Sequence, residues 1–156
     1  MLSEEDYFKQ IKEKARLAYS AQKGIYNPYF KTTVVLNSDG FHHLQFSARR
    51  ERNKSEQLLK LRLLPLALEI IKKSGTIQEY RKLLTPIGKK SAQDGSVTMK
   101  EVEYWGLVAI VGERGTKVRT VLRKVGTGNI TFWSTMLFSK RRNGNQKLFS
   151  EGIEDE

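Results

Sequence analysis

The sequence contains no cysteine and only three prolines among its 156 residues. Without cysteine the chain has no disulfide framework, no thiolate zinc site and no cysteine nucleophile, so redox chemistry through protein thiols is excluded. Long apolar runs are also lacking. A membrane span needs roughly 18 apolar residues, whereas the apolar segment 61–71 is interrupted by Arg62, Pro65 and Glu69. The sequence therefore predicts a soluble protein with no membrane partner.

Acidic residues are few and poorly placed for metal binding. They cluster in the first turn and in the last residues, where no rigid element would hold them in coordination geometry. We therefore expect no metal and no cofactor. The glycine-containing turns 112–116 and 126–129 lack the lysine and the following helix of a nucleotide cradle, which disfavours nucleoside-triphosphate hydrolysis. The acidic N-terminus has none of the features of a signal peptide, so a cytoplasmic location is expected.

Positive charge dominates the composition. The chain has 28 lysines and arginines against 17 acids, a net charge of +11 and a pI near 9.9. All the basic residues precede position 148, and residues 1–150 contain 13 acids, which gives them a net charge of +15. Such a balance is expected of a protein that meets phosphate groups. The length suits one basic α+β domain, residues 1–140, followed by a polar to acidic tail, residues 141–156.

Apolar residues at helical spacing predict two long helices. The first begins behind Ser3, which has the character of an N-cap, and runs to about Gln22. The second covers residues 55–71 and is apolar around its circumference, which predicts a core helix. We expect Pro65 to kink or break it, because proline has no amide donor.

The second half of the chain has strand character. Three β-type runs, separated by short polar turns, predict an antiparallel meander over residues 102–111, 117–125 and 130–138. A further short strand is predicted at 32–36, and residues 76–80 suggest a strand or a short helix. Residues 85–99 are expected to form a mobile basic loop. Helices followed by a meander indicate an α+β fold.

The two histidines of the chain, His42 and His43, are adjacent and lie close to a group of arginines. Their segment, 41–52, reads as a short helix, although a strand is also compatible with the pattern. On a helix Arg50 would lie two turns from His43 on the same face, with Ser47 between them. Histidine can take and give a proton at neutral pH, and arginine binds phosphate oxygens. The pattern suits a scissile phosphate, and it also suits an ordinary solvated helix face.

Two further arginines lie four residues apart on the predicted strand 117–125. Arg119 and Arg123 share one face, where they would either form a track for a nucleic-acid backbone or pair with nearby acids such as Glu101 or Glu103. In the next strand Trp133 shares a face with Thr131 and Thr135, opposite Ser134. This tryptophan could stack on a base, although a tryptophan in a central strand more often belongs to the core. Trp105 is interpreted in the same way.

The order of these parts resembles a known group of nucleases. A strand, His43-Leu44 leading to Ser47 and Arg50, the leucine-rich helix 55–71 and a final meander containing Phe132-Trp133-Ser134 are similar to the phage- and toxin-associated group named for barnase, EndoU, the colicin transfer-RNA nucleases and RelE. The resemblance spans residues 32–138. It implies N-terminal helices packed on a four-stranded antiparallel sheet and metal-independent cleavage of RNA.

The resemblance also implies site residues. His43 would be the general acid or base, Arg50 the basic residue that follows it, Arg119 or Arg123 the cation on the sheet, and Ser134 the hydroxyl of the last strand. The expected function is an endoribonuclease of toxin or phage-effector type, with an acidic antitoxin or immunity protein as a partner. The alternative is a basic nucleic-acid-binding protein without catalysis. The residues expected to contact RNA outside the catalytic set are His42, Arg49, Arg52, Arg123 and Lys124.

Overall fold

The computed structural model describes residues 2–47 and 50–138. The predicted tail 141–156 and the predicted RNA contact Arg49 lie outside the described residues. Within the described ranges, three helices and six strands follow one another. Their bounds are α1 Glu4–Ser20, β1 Gly24–Asn27, β2 Thr32–Val35, α2 Ser38–His43, α3 Lys54–Lys73, β3 Glu79–Ile87, β4 Thr98–Val111, β5 Thr116–Val125 and β6 Ile130–Leu137.

Helix α1 begins where the sequence predicted. The Ser3 hydroxyl accepts a hydrogen bond from the backbone amide of Asp6 at 3.1 Å, and the first turn is acidic. Both features stabilise a helix N-terminus, the first by satisfying an amide and the second through the helix dipole. The helix ends at Ser20, close to the expected position, and buries Ala15 and Tyr19.

Helix α3 is continuous from Lys54 to Lys73, with Asn53 as its N-cap. The expected break at Pro65 does not occur. Proline removes only one hydrogen bond from the helix ladder, and other residues of the same helical turns are fixed by burial in the core. Leu64 and Ala67 have no exposed surface, whereas Pro65 points outward. Packing therefore outweighs the local preference of the proline.

Helix α2 is shorter than the expected helix. Its N-cap is Asn37, whose side-chain oxygen accepts from the amide of Gly40 at 3.0 Å, and it ends at His43. The chain then turns back, with Phe46 and Glu51 joined by an isolated antiparallel bridge. The prediction that Arg50 follows His43 along one helix face is therefore wrong.

The sheet has six strands rather than the expected four. Their order is β1-β2-β6-β5-β4-β3. The meander is confirmed, since β3, β4, β5 and β6 pair antiparallel in sequence order. The expectation of an entirely antiparallel sheet is wrong, because β2 lies parallel to β6 through the pair Val35 and Thr131. Strand β3 also extends into the predicted loop and ends at Ile87.

Strand β1 was not predicted, and its position is explained by Asn27. This residue has no exposed surface. Its Nδ2 donates to the carbonyl oxygens of Ile71 at 2.8 Å and Ser74 at 3.1 Å, which are at the C-terminal end of α3. The amide therefore satisfies helix carbonyls that have no partner within the helix, and it fastens β1 to α3.

The main core lies between the helices and one face of the sheet. Side chains of α1 and α3 pack there against strand residues that include Leu107, Leu122 and Phe132. Trp105 is buried in this core and meets Phe30 edge to face, so the core interpretation of that tryptophan is confirmed. A second cluster occupies the other face and contains Val102, Tyr104, Val121 and Met136. In the described ranges no helix combines the length and the apolar character that a membrane crossing needs.

Candidate functional site

The candidate site lies where α2 packs against β6. Strand β6 is paired with β2 only at Thr131, and beyond that point α2 contacts it instead. His43, the last residue of α2, is 5% exposed, and its ring stacks on Trp133 with 3.9 Å between the ring centres. The Arg123 guanidinium lies 4.1 Å from the same indole ring. At these distances the imidazole and the guanidinium would collide if they lay on the same face of the indole. They therefore lie on opposite faces, and Trp133 is held between an imidazole and a cation.

A β-bulge in β6 explains why Trp133 turns towards α2. Val121 of β5 pairs with Ser134, but the next residue, Leu122, pairs with Phe132, so Trp133 is the extra residue. A bulge bends a strand and re-aims its side chains. The simple alternation that the sequence predicted for residues 131–135 therefore does not hold at this point.

Arg52 fixes the state of the His43 ring. Its Nε donates to the backbone oxygen of His43 at 3.0 Å, and its Nη2 lies 3.2 Å from Nε2 of the imidazole. A guanidinium can donate hydrogen bonds but cannot accept them. Nε2 must therefore be the acceptor, which means that the proton of the neutral ring is on Nδ1.

Lys60 is a site residue that the sequence analysis missed. Its Nζ donates to the hydroxyl of Ser134 at 3.1 Å and to the backbone oxygen of Thr135 at 3.0 Å, and only 5% of the lysine is exposed. The available signal was a lysine on the helix face that also carries Leu64 and Ala67. Buried lysine is rare unless it has partners, so a lysine among apolar residues indicates a specific contact.

We define the His43 cluster as two groups of contacting residues that meet at the consecutive residues Trp133 and Ser134. The members are His43, Arg52, Lys60, Arg123, Trp133 and Ser134. Four of them were singled out from the sequence as catalytic or RNA-contacting residues. For Trp133 the sequence left base stacking and the core as alternatives. The indole is partly buried against the second apolar cluster and contacts both His43 and Arg123.

Two predicted catalytic arginines lie outside the cluster. Arg50 is exposed, and its Nη2 donates to the Glu56 carboxylate at 3.2 Å. Arg119 is 3% exposed, and its Nε and Nη2 lie 2.6 Å and 2.9 Å from the carboxylate of Glu79, which is itself 2% exposed. The expectation that Arg119 faces solvent as part of a track along β5 is therefore wrong. Its partner is Glu79 rather than Glu101 or Glu103.

The remaining predicted contacts are spread over the surface. His42 is exposed and stacks on Phe46, with 4.5 Å between ring centres, so it does not join its neighbour His43. Lys124 is partly exposed and pairs in register with Glu103 of β4. As successive residues of β5, Arg123 and Lys124 point to opposite faces of the sheet, so only Arg123 is directed at the cluster.

A row of residues crosses the sheet from β3 to the His43 cluster. Strand register places Arg81 opposite Tyr104, and Tyr104 opposite Arg123. The Arg123 guanidinium lies 5.9 Å from the Tyr104 ring and closer still to Trp133. Cations and aromatic rings therefore alternate across the strands, whereas the sequence analysis considered only a row along one strand.

A cleft of about 260 Å³ opens beside the cluster. Its walls are the start of α2, the ends of β2, β5 and β6, and the turn between β5 and β6. Arg123 and Trp133 belong both to the cleft and to the cluster. The lining residues are Val35, Asn37, Asp39, Arg123, Val125, Gly128, Asn129, Thr131 and Trp133.

Within residues 2–47 and 50–138, no three histidine, aspartate or glutamate side chains come together as a group that could hold a metal ion. Comparison of the chain with protein-family models, with curated proteins and with solved structures finds no match.

Proposed function

We propose that the protein is a metal-independent endoribonuclease of toxin or phage-effector type, and that His43 transfers protons at the scissile phosphate. One observation carries this proposal. A histidine that is almost fully buried is fixed by stacking on Trp133 and by its contact with Arg52, Arg123 lies against the same indole, and Lys60 binds the hydroxyl of the adjoining residue, Ser134.

The chemistry needs one proton acceptor and one proton donor. The ribose 2′-oxygen attacks the adjacent phosphorus and loses its proton, and the bond from phosphorus to the 5′-oxygen breaks as that oxygen gains a proton. The products are a 2′,3′-cyclic phosphate and a 5′-hydroxyl. Imidazole can serve both steps near neutral pH. Cations close to the phosphate stabilise the charge that builds up on its oxygens.

The contacts suggest a division of roles. Arg123 is partly exposed and lies against Trp133, so it is the cation that can meet a phosphate. Arg52 is a positioning residue, since it holds the backbone and the ring of His43. Lys60 holds Ser134 in the same way. Arg119 has no phosphate role in this proposal, because its guanidinium is committed to Glu79.

Proton transfer at Nε2 requires a rearrangement. The nitrogen that would accept the proton is the one that Arg52 contacts. For His43 to act as a base there, the guanidinium has to leave Nε2, and a phosphate oxygen is a group that could attract it. Binding of the substrate would thus free Nε2 of His43 to accept a proton.

The same contact favours a second candidate function, a basic nucleic-acid-binding protein without catalysis. If Arg52 stays on Nε2 when RNA binds, His43 cannot take a proton at that atom, and the cluster serves only to hold Trp133 and Arg123 in place. The charge of +15 on residues 1–150 supports binding in either case, and it suits an acidic inhibitory partner.

The test is cleavage of end-labelled RNA in EDTA by the wild-type protein and by two variants. His43→Gln keeps a polar group that can accept from Arg52 but cannot transfer protons. His42→Gln is the matched control, since that histidine is exposed and lies outside the cluster. The proposal expects cyclic-phosphate ends from the wild type and from His42→Gln, and a loss of at least about a hundredfold in rate for His43→Gln.

Each other outcome is informative. Cleavage that requires magnesium would contradict the metal-independent mechanism. Cleavage that persists in His43→Gln would remove His43 from the chemistry. RNA binding that is equal in the three proteins, with no cleavage in any of them, would favour the non-catalytic alternative.

A further inference from the structure

We propose that the C-terminal segment 148–156 binds the cationic face of the sheet in the same molecule and competes there with RNA for Arg123. This inference rests on the proposed function, because it adds an autoinhibitory contact at the cation assigned to the phosphate. The cationic face is the side of the sheet that carries the second apolar cluster. Its basic residues are Arg81, Lys100, Lys117, Arg119 and Arg123.

The charge of this face follows from strand alternation and register. Side chains of a strand point to its two faces in turn, and the register places Arg81, Tyr104 and Arg123 side by side across β3, β4 and β5. The same alternation directs Glu79 to this face as the only acid of these three strands. Five cations and one acid give the cationic face a net charge of +4.

Apolar side chains on the cationic face have little exposed surface. Val102 and Val121 are fully buried, and Tyr104 and Met136 are 4% and 8% exposed. Helices α1 and α3 do not cover these side chains, since both helices pack into the main core on the opposite face of the sheet. A segment of the chain that lies over the cationic face would explain why they are shielded from water.

Segment 148–156 has the complementary composition. It contains four acids and no cation, so its net charge of −4 is opposite to that of the cationic face. Leu148, Phe149 and Ile153 are apolar and suit the second apolar cluster, while carboxylates bind arginine through charge-assisted hydrogen bonds. Residues 139–147 contain four cations and no acid. They would be repelled by the face and are therefore interpreted as the connection to it.

The connection starts at the cationic face and is long enough to cross it. The ring of Phe138, the residue after β6, lies 4.7 Å from the Lys117 ammonium and 4.7 Å from the Arg119 guanidinium. From β6 to β3 the sheet measures roughly 15 Å, at about 4.8 Å between neighbouring strands. The nine residues 139–147 can span up to roughly 30 Å. Segment 148–156 can therefore reach both Arg81 and Arg123.

A segment bound there would compete with RNA. Arg123 is the cation of the His43 cluster that lies against Trp133, and carboxylate and phosphate oxygens are alternative partners for one guanidinium. A tethered segment has an effective concentration on the order of millimolar. Even a weak contact is then populated until RNA displaces it.

The first measurement locates the segment in the intact chain. Because the protein has no cysteine, Ser150→Cys provides a single position for a nitroxide label. The label is expected to broaden the amide NMR signals of Arg81, Tyr104 and Arg123 and to leave those of α1, on the other side of the sheet, unchanged. The broadening should disappear when the four acids of the segment are neutralised together. Those substitutions are Glu151→Gln, Glu154→Gln, Asp155→Asn and Glu156→Gln.

The second measurement is affinity for 2′-O-methyl RNA at low salt, since that RNA lacks the attacking hydroxyl and cannot be cut. The variant with the neutralised segment should bind about tenfold more tightly than a control variant of equal net charge. The control carries glutamine at four exposed acids of α1 and α3, namely Glu4, Glu5, Glu13 and Glu69. This comparison separates the loss of competition from the general effect of a more positive protein.

The outcomes separate this inference from the proposed function. Unbroadened signals on the cationic face, or equal RNA affinity of the two variants, would overturn the inference. So would broadening in isotope-labelled protein that carries no nitroxide and is mixed with nitroxide-labelled protein, because the contact would then belong to a second copy. Broadening within one molecule and tighter RNA binding, without cleavage of ordinary RNA by any variant, would support the inference and contradict the ribonuclease. Cleavage that depends on His43, without broadening, would leave the ribonuclease and overturn the autoinhibitory contact.

Discussion

At the scale of single residues, the buried ion pair between Arg119 and Glu79 sets a clear expectation for stability. Removal of one partner leaves the other charge buried and uncompensated, which costs about 3–5 kcal/mol in comparable cases. Arg119→Ala should therefore lower the free energy of unfolding by about that amount, measured by urea denaturation. RNA affinity of the folded fraction should be unchanged, because the guanidinium faces Glu79.

A double-mutant cycle provides the control for this ion pair. Replacing Glu79 by Leu and Arg119 by Met together removes both charges and should cost less than the sum of the two single changes. Lys82→Ala breaks an exposed ion pair with Glu101 and should have a much smaller effect than Arg119→Ala. An Arg119→Ala protein as stable as the wild type would show that the buried pair contributes little.

Tyr19 predicts how stability depends on alkaline pH. Its hydroxyl donates to the backbone oxygen of Asn37 at 2.6 Å. Burial raises the pKa of this phenol well above its ordinary value, and the negative charge of Asp39 raises that pKa further. In the unfolded chain the proton is lost at about pH 10. Stability linked to the neutral phenol is thus complete below about pH 10 and is lost as the pH rises further.

The expected result is that wild-type stability falls more steeply above about pH 10 than that of Tyr19→Phe. At neutral pH the variant should be about 1 kcal/mol less stable, because it lacks one hydrogen bond. Urea unfolding between pH 7 and about pH 11 measures both effects. Tyr29→Phe, at a tyrosine with 44% exposure, is the control. Parallel pH profiles for the wild type and Tyr19→Phe would contradict the assignment.

At the scale of whole elements, Pro65 makes α3 less stable than its length and packing would allow. The proline lies inside the helix with its ring towards solvent, so it removes a backbone hydrogen bond and buries little surface. Pro65→Ala should raise the free energy of unfolding by about 1–3 kcal/mol, as measured by thermal and urea denaturation. Leu66→Ala, at the next exposed position, should change it far less. A less stable Pro65→Ala protein would show that α3 needs the proline geometry.

The elements that could be predicted are those with a strong local pattern. Helix α1 has a capping serine and regular apolar spacing, and strands β4, β5 and β6 are bounded by polar turns. The strand predicted at 32–36 is confirmed as β2, whereas β1 has four residues without a comparable signal and was not predicted. Their place in the sheet depends on pairing with β6, almost a hundred residues away, which no local pattern records.

The site was predictable only in part, for a related reason. The chemistry of His43 and Ser134 could be read from residue types. The partner of each cation could not, because it depends on which acid the fold brings near. Arg119 pairs with Glu79 of β3, a strand whose bounds could not be predicted. Arg50 does not share a helix face with His43, because α2 ends at His43. The bulge at Trp133 likewise appears only when β5 and β6 are paired.

At the scale of the whole molecule, the positive charge predicts RNA binding that weakens with salt. Each phosphate contact releases counterions, so log K falls with log salt concentration in proportion to the number of contacts. Arg123→Ala should weaken binding and reduce that slope by about one. Arg114→Ala, on the exposed β4–β5 turn, is the control and should leave the slope unchanged. The measurement is RNA affinity across a salt series, and an unchanged slope for Arg123→Ala would place the nucleic acid elsewhere.

The single parallel join between β2 and β6 has a consequence for the order in which the chain folds. It links Val35 with Thr131, whereas the strands of the meander are joined to their sequence neighbours by short connections. Contacts between distant residues carry a larger closure entropy, so this join should form after the transition state. Val34→Ala, at a buried position of β2, should therefore accelerate unfolding and leave the folding rate nearly unchanged. Val118→Ala, at a buried position of β5, should instead slow folding, and stopped-flow chevron plots of the two variants would reveal the difference.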